Sequence, residues 1–392
     1  MTKPADQALQ VLGGLSAEHF LREYWQKKPL LIRQAFPEFE SPVTPDELAG
    51  LALEEEVESR IILERDGVTP WELRNGPFEE NSFAQLPETH WTLLIQQLDA
   101  WNAEINALKQ HFNFIPNWRI DDIMASYAPF GGSVGPHYDQ YDVFLIQAQG
   151  HRHWQTGQHC NHGSETLENT PLSILKSFDL QEEWTLAPGD MLYLPPGLAH
   201  HGVAQDDCIT LSVGFRAPTN EQILSHFSDY LLGELEHPEF YSDPDLNLSA
   251  DPALIESTAI ERARAMMQGL LNQPETFAQW FCEFTTQAKN EATLHGGDPE
   301  FSEHELLAAI DEGDYLNQNE GSRFVYHRLN RDNIVLAVDG DSYVLNQRDL
   351  NDIQHLCAET TVSLQTLLKE GERSALFSIV MQLIRKGSLY FS

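Results

Sequence analysis

The chain has 392 residues, enough for two or three domains, and 41% of them are hydrophobic, which allows a sizeable core and excludes wholesale disorder. Its 60 acidic and 24 basic residues give a formal net charge of -36. A field of that sign serves solubility, repels phosphate backbones and anionic lipid, and attracts a basic partner, so no direct nucleic-acid partner and no membrane are expected.

Cys160, Cys208, Cys282 and Cys357 form no CxxC pair, which argues against a disulfide framework and for a reducing compartment. The start, MTKPADQALQVLGG, lacks the apolar core of a signal peptide. No run approaches the ~20 apolar residues of a membrane span. A soluble cytoplasmic protein is expected.

In chain order, SAEHFLREYW predicts a helix capped by Ser16, with Phe20, Leu21 and Tyr24 at helical spacing. Lys27-Lys28-Pro29 ends it, and LLIR follows as a short strand. A second helix is expected from Thr44 to Glu56, with Thr44 as cap and Pro45 at the first helical position. SRIILER reads as a strand. The stripe Trp91, Leu94, Ile95, Leu98 and Trp101 predicts a helix over 87–101. From Trp118 short apolar runs alternate with Gly, Pro and Asp, the texture of a β-barrel or double-sheet jelly roll. After Arg216-Ala217-Pro218 the pattern turns helical: a helix capped by Thr219, a second over 252–271 and a third over 274–289. HGGDP at 295–299 reads as a linker. The last part mixes helices with SRFVYHRL, NIVLAVDG and SYVLN, and Asp339-Gly340-Asp341 reads as a hairpin tip. This pattern suggests a winged-helix-like module.

The chemistry concentrates in GPHYDQYDVFLIQAQGHRHWQTG. On a strand, His137 and Asp139 would project to one face. An isolated HxD pair is more often a surface hydrogen bond. Here a glycine-rich approach precedes it, and the Pro195-Pro196-Gly197 turn later delivers His200. Two histidines and one carboxylate with open positions suit non-haem iron(II) oxygenases. Many such enzymes bind 2-oxoglutarate, whose distal carboxylate needs an anchor. Arg152 supplies a bidentate cation, provided that it faces inward while His151 and His153 face the other way. The run His159-Cys160-Asn161-His162 lacks the separated ligand pairs of a zinc site and reads as a polar loop. Glu54-Glu55-Glu56 reads as a solvated helix face.

At this point FLREYWQKKPLLIR, PHYDQYDVFLIQAQGHRHW, LPPGLAHHG and SVGFRAP together resemble the JmjC/cupin ribosomal oxygenases. The likeness is strongest to the bacterial branch that hydroxylates an arginine of large-subunit ribosomal protein L-sixteen. The resemblance implies an α+β architecture: a double-stranded β-helix (jelly-roll, JmjC/cupin) catalytic domain over 1–217, a helical dimerisation region over 218–294, and a winged-helix-like domain over 295–392. It implies iron(II) on His137, Asp139 and His200, 2-oxoglutarate as cosubstrate on Arg152, and Ser126 as a further contact to it. It also implies a homodimer and a basic ribosomal protein as substrate, hydroxylated at C3 of an arginine. The chain departs from the family at His151 and His153, where a basic triplet is common, and at His201, where an acid is usual.

Three other readings compete. A histidine hydroxylase of a ribosomal protein would share every residue above. A metal-binding cupin without oxygenase activity would not need Arg152 for 2-oxoglutarate. A non-catalytic adaptor would use the helical and winged-helix parts alone.

Overall fold

Capping side chains start the N-terminal helices where the sequence puts them. The computed structural model describes residues 7–65, 70–248, 250–294, 296–369, 371 and 374–391. Ser16 Oγ accepts from His19 N–H at 3.2 Å at the head of α1 (Ala17–Glu23). Thr44 and Glu47 form a capping box at α2 (Pro45–Leu51), with Pro45 at its first position. This helix stops at Leu51 rather than Glu56, because residues 53–56 turn the chain and bury Val57 at the edge of the sheet that follows. Two further short helices, α3 (Glu80–Ala84) and α4 (Ala103–Ala107), complete the N-terminal set.

Among the described residues, eleven strands build the first unit, Met1–Ala217. They are β1 (Leu30–Ile32), β2 (Ser59–Glu64), β3 (Trp71–Asn75), β4 (Trp91–Ile95), β5 (Ile120–Ala128) and β6 (Val143–Gln149). β7 (Arg152–His159), β8 (Glu182–Leu186), β9 (Met191–Leu194), β10 (Leu198–Ala204) and β11 (Cys208–Phe215) follow. Eight of them form one antiparallel sheet in the order β1-β9-β6-β11-β5-β4-β2-β3, and three form a second, β10-β7-β8. This is the expected jelly roll.

The helix expected over 87–101 is not there. Trp91–Ile95 is strand β4, between β2 and β5, and only a 3-10 turn at Leu98–Ala100 remains helical. The stripe was compatible with both periods, since an interior strand buried on both faces also reads as a continuous apolar run. Left-handed turns at His90 and Gln97 bracket it.

Strand alternation sorts the two faces of the large sheet. Phe144 and Ile146 face a core shared with the N-terminal helices, whereas Val143 and Leu145 face the space between the sheets, with Trp154 and Leu186. Phe20 of α1 is fully buried against Phe144 and Tyr193, with ring centroids at 5.6 and 5.0 Å. Burying such a side chain contributes about 2–3 kcal/mol. Asp142, also fully buried, ties α1's exit to the sheet by accepting from Tyr193 Oη at 2.6 Å and from Gln26 Nε2 at 3.0 Å.

The second unit is Pro218–Ser392. Thr219 and Gln222 form a capping box at α5 (Asn220–Glu234). α6 (Ser257–Leu271) starts later than expected and buries none of its residues. α7 (Pro274–Thr286) packs Trp280 on Phe227 and Leu231 of α5. α8 (Glu303–Glu312) follows, then β12 (Tyr315–Gln318), β13 (Phe324–Arg328), β14 (Asn333–Val338) and β15 (Asp341–Asn346). α9 (Leu350–Ala358), β16 (Thr361–Ser363), α10 (Leu364–Leu367), α11 (Phe377–Lys386) and β17 (Leu389–Phe391) close the chain. The β14–β15 hairpin turns at Asp339 and Gly340, both at positive φ, as the Asp-Gly pair requires. Cys282 of α7 packs on Val335 and Ala337 of β14, so the third helix and the C-terminal hairpin share one packing surface. His295, the first residue of the expected linker, lies outside the described residues. All four cysteines are free thiols.

Candidate metal centre

His137 and Asp139 do not sit on a regular strand. They lie in the extended connection between β5 and β6, and His137 forms an isolated antiparallel bridge with His200. His137 N–H donates to His200 O at 3.0 Å, and His200 N–H donates back to His137 O at 2.8 Å. Gly197 N–H donates to Asp139 O at 2.7 Å. Backbone pairing with the start of β10 therefore sets the geometry that strand parity was expected to set. The Pro195-Pro196-Gly197 turn needs a left-handed residue, and Gly197 has φ 77°. A register shift against β7 then falls between Leu198 and His200 and re-aims the histidine.

The ligand atoms of His137, Asp139 and His200 all lie within 4.8 Å of one another. His200 Nε2 is 3.6 Å from Asp139 Oδ2, and the two imidazole centroids are 4.3 Å apart. His137 Nδ1 donates to Gly135 O at 2.9 Å, and His200 Nδ1 donates to Leu198 O at 3.0 Å. A carbonyl only accepts, so each ring carries a proton on Nδ1 and turns Nε2 towards the other ligands. Burial, and the nearby His137, bring His200 down to about 4, so its imidazole is neutral at pH 7. Two imidazoles and a carboxylate fit a first-row divalent ion such as iron(II), and three donors leave room for exchangeable ligands. Among the described residues, no other group of His, Cys, Asp or Glu is placed to hold a metal. The His159–His162 run is no exception.

Arg152 opens β7 and is buried, at 3% exposure. Its neighbours point the other way, His151 pairing with Asp206 at 2.7 Å and His153 with Glu183 at 3.3 Å. Arg152 Nη1 donates to Ser126 Oγ at 2.9 Å and to Thr210 Oγ1 at 3.4 Å. Its Nε has no partner, and among the described residues no carboxylate lies within ion-pair distance. Burial lowers the guanidinium's pKa, and the nearby Cys208 thiol offsets that only in part.

Ser126, Thr210 and Gln147 are cross-strand neighbours on β5, β11 and β6, and so share one face of the sheet. Thr210 Oγ1 donates to Gln147 Oε1 at 3.1 Å, which leaves the threonine oxygen to accept from Arg152. Sequence reasoning missed Thr210 and Gln147. The signal was a polar residue at the alternating positions of two apolar strands, but only the register brings them together. The Tyr141 hydroxyl hydrogen-bonds Asp139, whose charge, with partial desolvation, raises the phenol's pKa. Asp142, its neighbour, points away into the core described above.

Comparison with known proteins bears on the same segments. Residues 107–223 match the family model for a JmjC domain, and residues 269–390 match that for a ROXA-like winged helix. Over 310 residues the chain is 42% identical to the ribosomal protein uL16 3-hydroxylase of Escherichia coli, spanning 78% of this chain and 80% of that protein. It is 37% identical over 328 residues to a probable ribosomal oxygenase of Haemophilus influenzae, spanning 80% and 79%. A crystal structure of Escherichia coli ycfD matches with a TM-score of 0.88 at 35% identity, over 96% of this chain and 98% of that one. The same protein, a ribosomal oxygenase, in complex with cobalt and 2-oxoglutarate matches over the same shares at 35% identity, with a TM-score of 0.84.

Proposed function

The chain belongs to the JmjC-type ribosomal oxygenases, and on that premise we propose that it is an iron(II)- and 2-oxoglutarate-dependent dioxygenase that hydroxylates C3 of an arginine in a large-subunit ribosomal protein. His137 and His200 would hold the metal through Nε2, and Asp139 through its carboxylate. When bound, iron(II) and 2-oxoglutarate supply the oxidation of an unactivated C–H bond by dioxygen, releasing succinate and carbon dioxide.

The observation that carries this reading is Arg152. A buried guanidinium with hydroxyl partners and no acid is a site short of one negative charge. The distal carboxylate of 2-oxoglutarate brings that charge, and Ser126 and Thr210 hold the guanidinium in register to receive it. A metal-binding cupin of another class has no use for this arrangement. The Nδ1 bonds to Gly135 and Leu198 orient both imidazoles before metal arrives. Tyr141 beside Asp139 offers a wall for the substrate side chain.

The net charge of -36 favours encounter with a basic ribosomal protein. No described helix is long and apolar enough to cross a membrane. The proposal includes a cytoplasmic location, where such a substrate is made. It also includes a homodimer, supported by α6, whose Ile260 and Met267 are exposed. Light scattering at micromolar concentration checks the dimer, and a mass near the 44.5 kDa of one chain counts against it.

The test of function is direct. The purified protein with iron(II), 2-oxoglutarate and the ribosomal protein should add one oxygen to a single arginine, and His137→Ala should not. Succinate release without that gain would retain the oxygenase class and remove the substrate. Oxygen on a histidine would favour the histidine-hydroxylase alternative.

A further inference from the structure

The C-terminal unit carries a groove of about 400 Å³ that the chemistry above does not use. One wall is a face of α8 that presents Glu305, Ala308, Ala309 and Glu312, the i, i+3, i+4, i+7 spacing of a single helical stripe. Two alanines in the middle of that stripe leave the space open. Ile384 of α11 and Leu389 and Phe391 of β17 form the apolar floor. Asp298 and Asp314 join Glu305 and Glu312 around it, and among the described residues no basic side chain lines it.

Stability does not explain this distribution. Glu305 has a structural duty, since it closes the capping box with Ser302. Glu312 has the opposite placement: it lies in the last turn of α8, where the helix dipole disfavours a carboxylate, and that turn holds no basic residue. An apolar floor ringed by carboxylates complements a segment that alternates lysine or arginine with an aliphatic or aromatic anchor. It repels nucleic-acid phosphate, the usual partner of a winged helix.

We infer that this groove is a docking site for a basic segment of the ribosomal-protein substrate, remote in sequence from the hydroxylated residue. The inference rests on the proposed substrate class and adds a second point of attachment. Such a site raises the effective concentration of substrate at the metal without touching the reacting atoms. It acts on binding of the whole protein and is silent for a short peptide.

The experiment uses the full chain loaded with iron(II) and 2-oxoglutarate. Ala308→Trp fills the groove and Glu312→Lys reverses its charge; both positions are exposed, and lysine suits the end of a helix. Asp311→Lys makes the same charge change one residue away, outside the groove lining, and is the control. Binding of fluorescently labelled ribosomal protein is measured by anisotropy, and hydroxylation is measured with that protein and with a short peptide around the modified residue. The inference expects roughly tenfold weaker binding, and a KM raised in proportion, for the first two variants with the whole protein. It expects unchanged kcat, unchanged peptide kinetics and no effect of Asp311→Lys. Binding undiminished in both groove variants would overturn the inference while leaving the proposed function intact, as would equal losses for protein and peptide. A wild-type enzyme that neither binds nor hydroxylates the ribosomal protein would overturn both.

Discussion

Replacing Arg152 with methionine separates a functional guanidinium from a structural one. In the protein without cosubstrate, Arg152 is a buried charge with one good hydrogen bond, to Ser126 at 2.9 Å, a long one to Thr210 at 3.4 Å, and an unpartnered Nε. Desolvating such a charge costs several kcal/mol, and hydrogen bonds to a charged group return about 1.5–3 kcal/mol each at best. Methionine fills a similar volume without the charge. Arg152→Met should therefore leave the cosubstrate-free protein as stable as wild type, or more stable by about 1–3 kcal/mol. With 2-oxoglutarate the sign reverses. Losing a desolvated, charge-assisted contact should cost about 3–4 kcal/mol of binding, or roughly 150- to 700-fold in affinity. Scanning fluorimetry with and without 2-oxoglutarate reads both effects, and calorimetric titration gives the affinity. A variant destabilised by about 2 kcal/mol or more without cosubstrate would refute the reasoning. So would one that keeps wild-type affinity for 2-oxoglutarate.

Chelation of the metal-loaded enzyme should lower its melting temperature, because a ligand at 100 times its Kd stabilises by about 2.7 kcal/mol; Asp139→Ala should abolish that difference and lower the metal content seen by elemental analysis. Asp190 is buried yet accepts from Gln34 N–H at 3.0 Å, Ala187 N–H at 3.1 Å and Arg33 Nη1 at 2.6 Å. Burial alone would raise its pKa, but these bonds together hold it below the ordinary carboxylate value. Its contribution is therefore complete above about pH 4 and is lost as pH falls through the lower folded value; Asp190→Asn should be less stable at pH 7 by about 1–3 kcal/mol and show a flatter acid limb in denaturant titrations. Phe20→Ala should cost about 3–5 kcal/mol, since the ring is fully buried among Phe114, Phe144 and Tyr193. A loss below about 1 kcal/mol in chemical denaturation would contradict that packing account.

Local chemistry made the site legible. The His137-x-Asp139 pair alone is a weak signal; the glycine-rich approach before it and the Pro-Gly turn that delivers His200 make the three a candidate donor set. Charge type nominates Arg152, but the sequence leaves open which face of the His151-Arg152-His153 run is inward; that the flanking histidines pair with Asp206 and Glu183 at the surface is seen only in the structure. Register was not legible. His137 and Asp139 share a direction through a backbone bridge to a residue far along the chain, not through strand alternation. Thr210 and Gln147 meet Ser126 only because three distant strands align at those positions. The Trp91–Ile95 segment read as a helix for the same reason: its environment, two neighbouring strands and buried faces, is set by β2 and β5 and not by its own period. Helix starts, fixed by side chains within three residues, were readable at Ser16, Thr44 and Thr219.

The most direct test of the whole account is hydroxylation of the ribosomal protein under isotopically labelled dioxygen, followed by intact-mass and fragment spectra. The account predicts one labelled oxygen on one arginine, one succinate for each hydroxyl, and neither product in His200→Ala. Unlabelled oxygen in the product, or hydroxylation that persists without His137, Asp139 and His200, would contradict it.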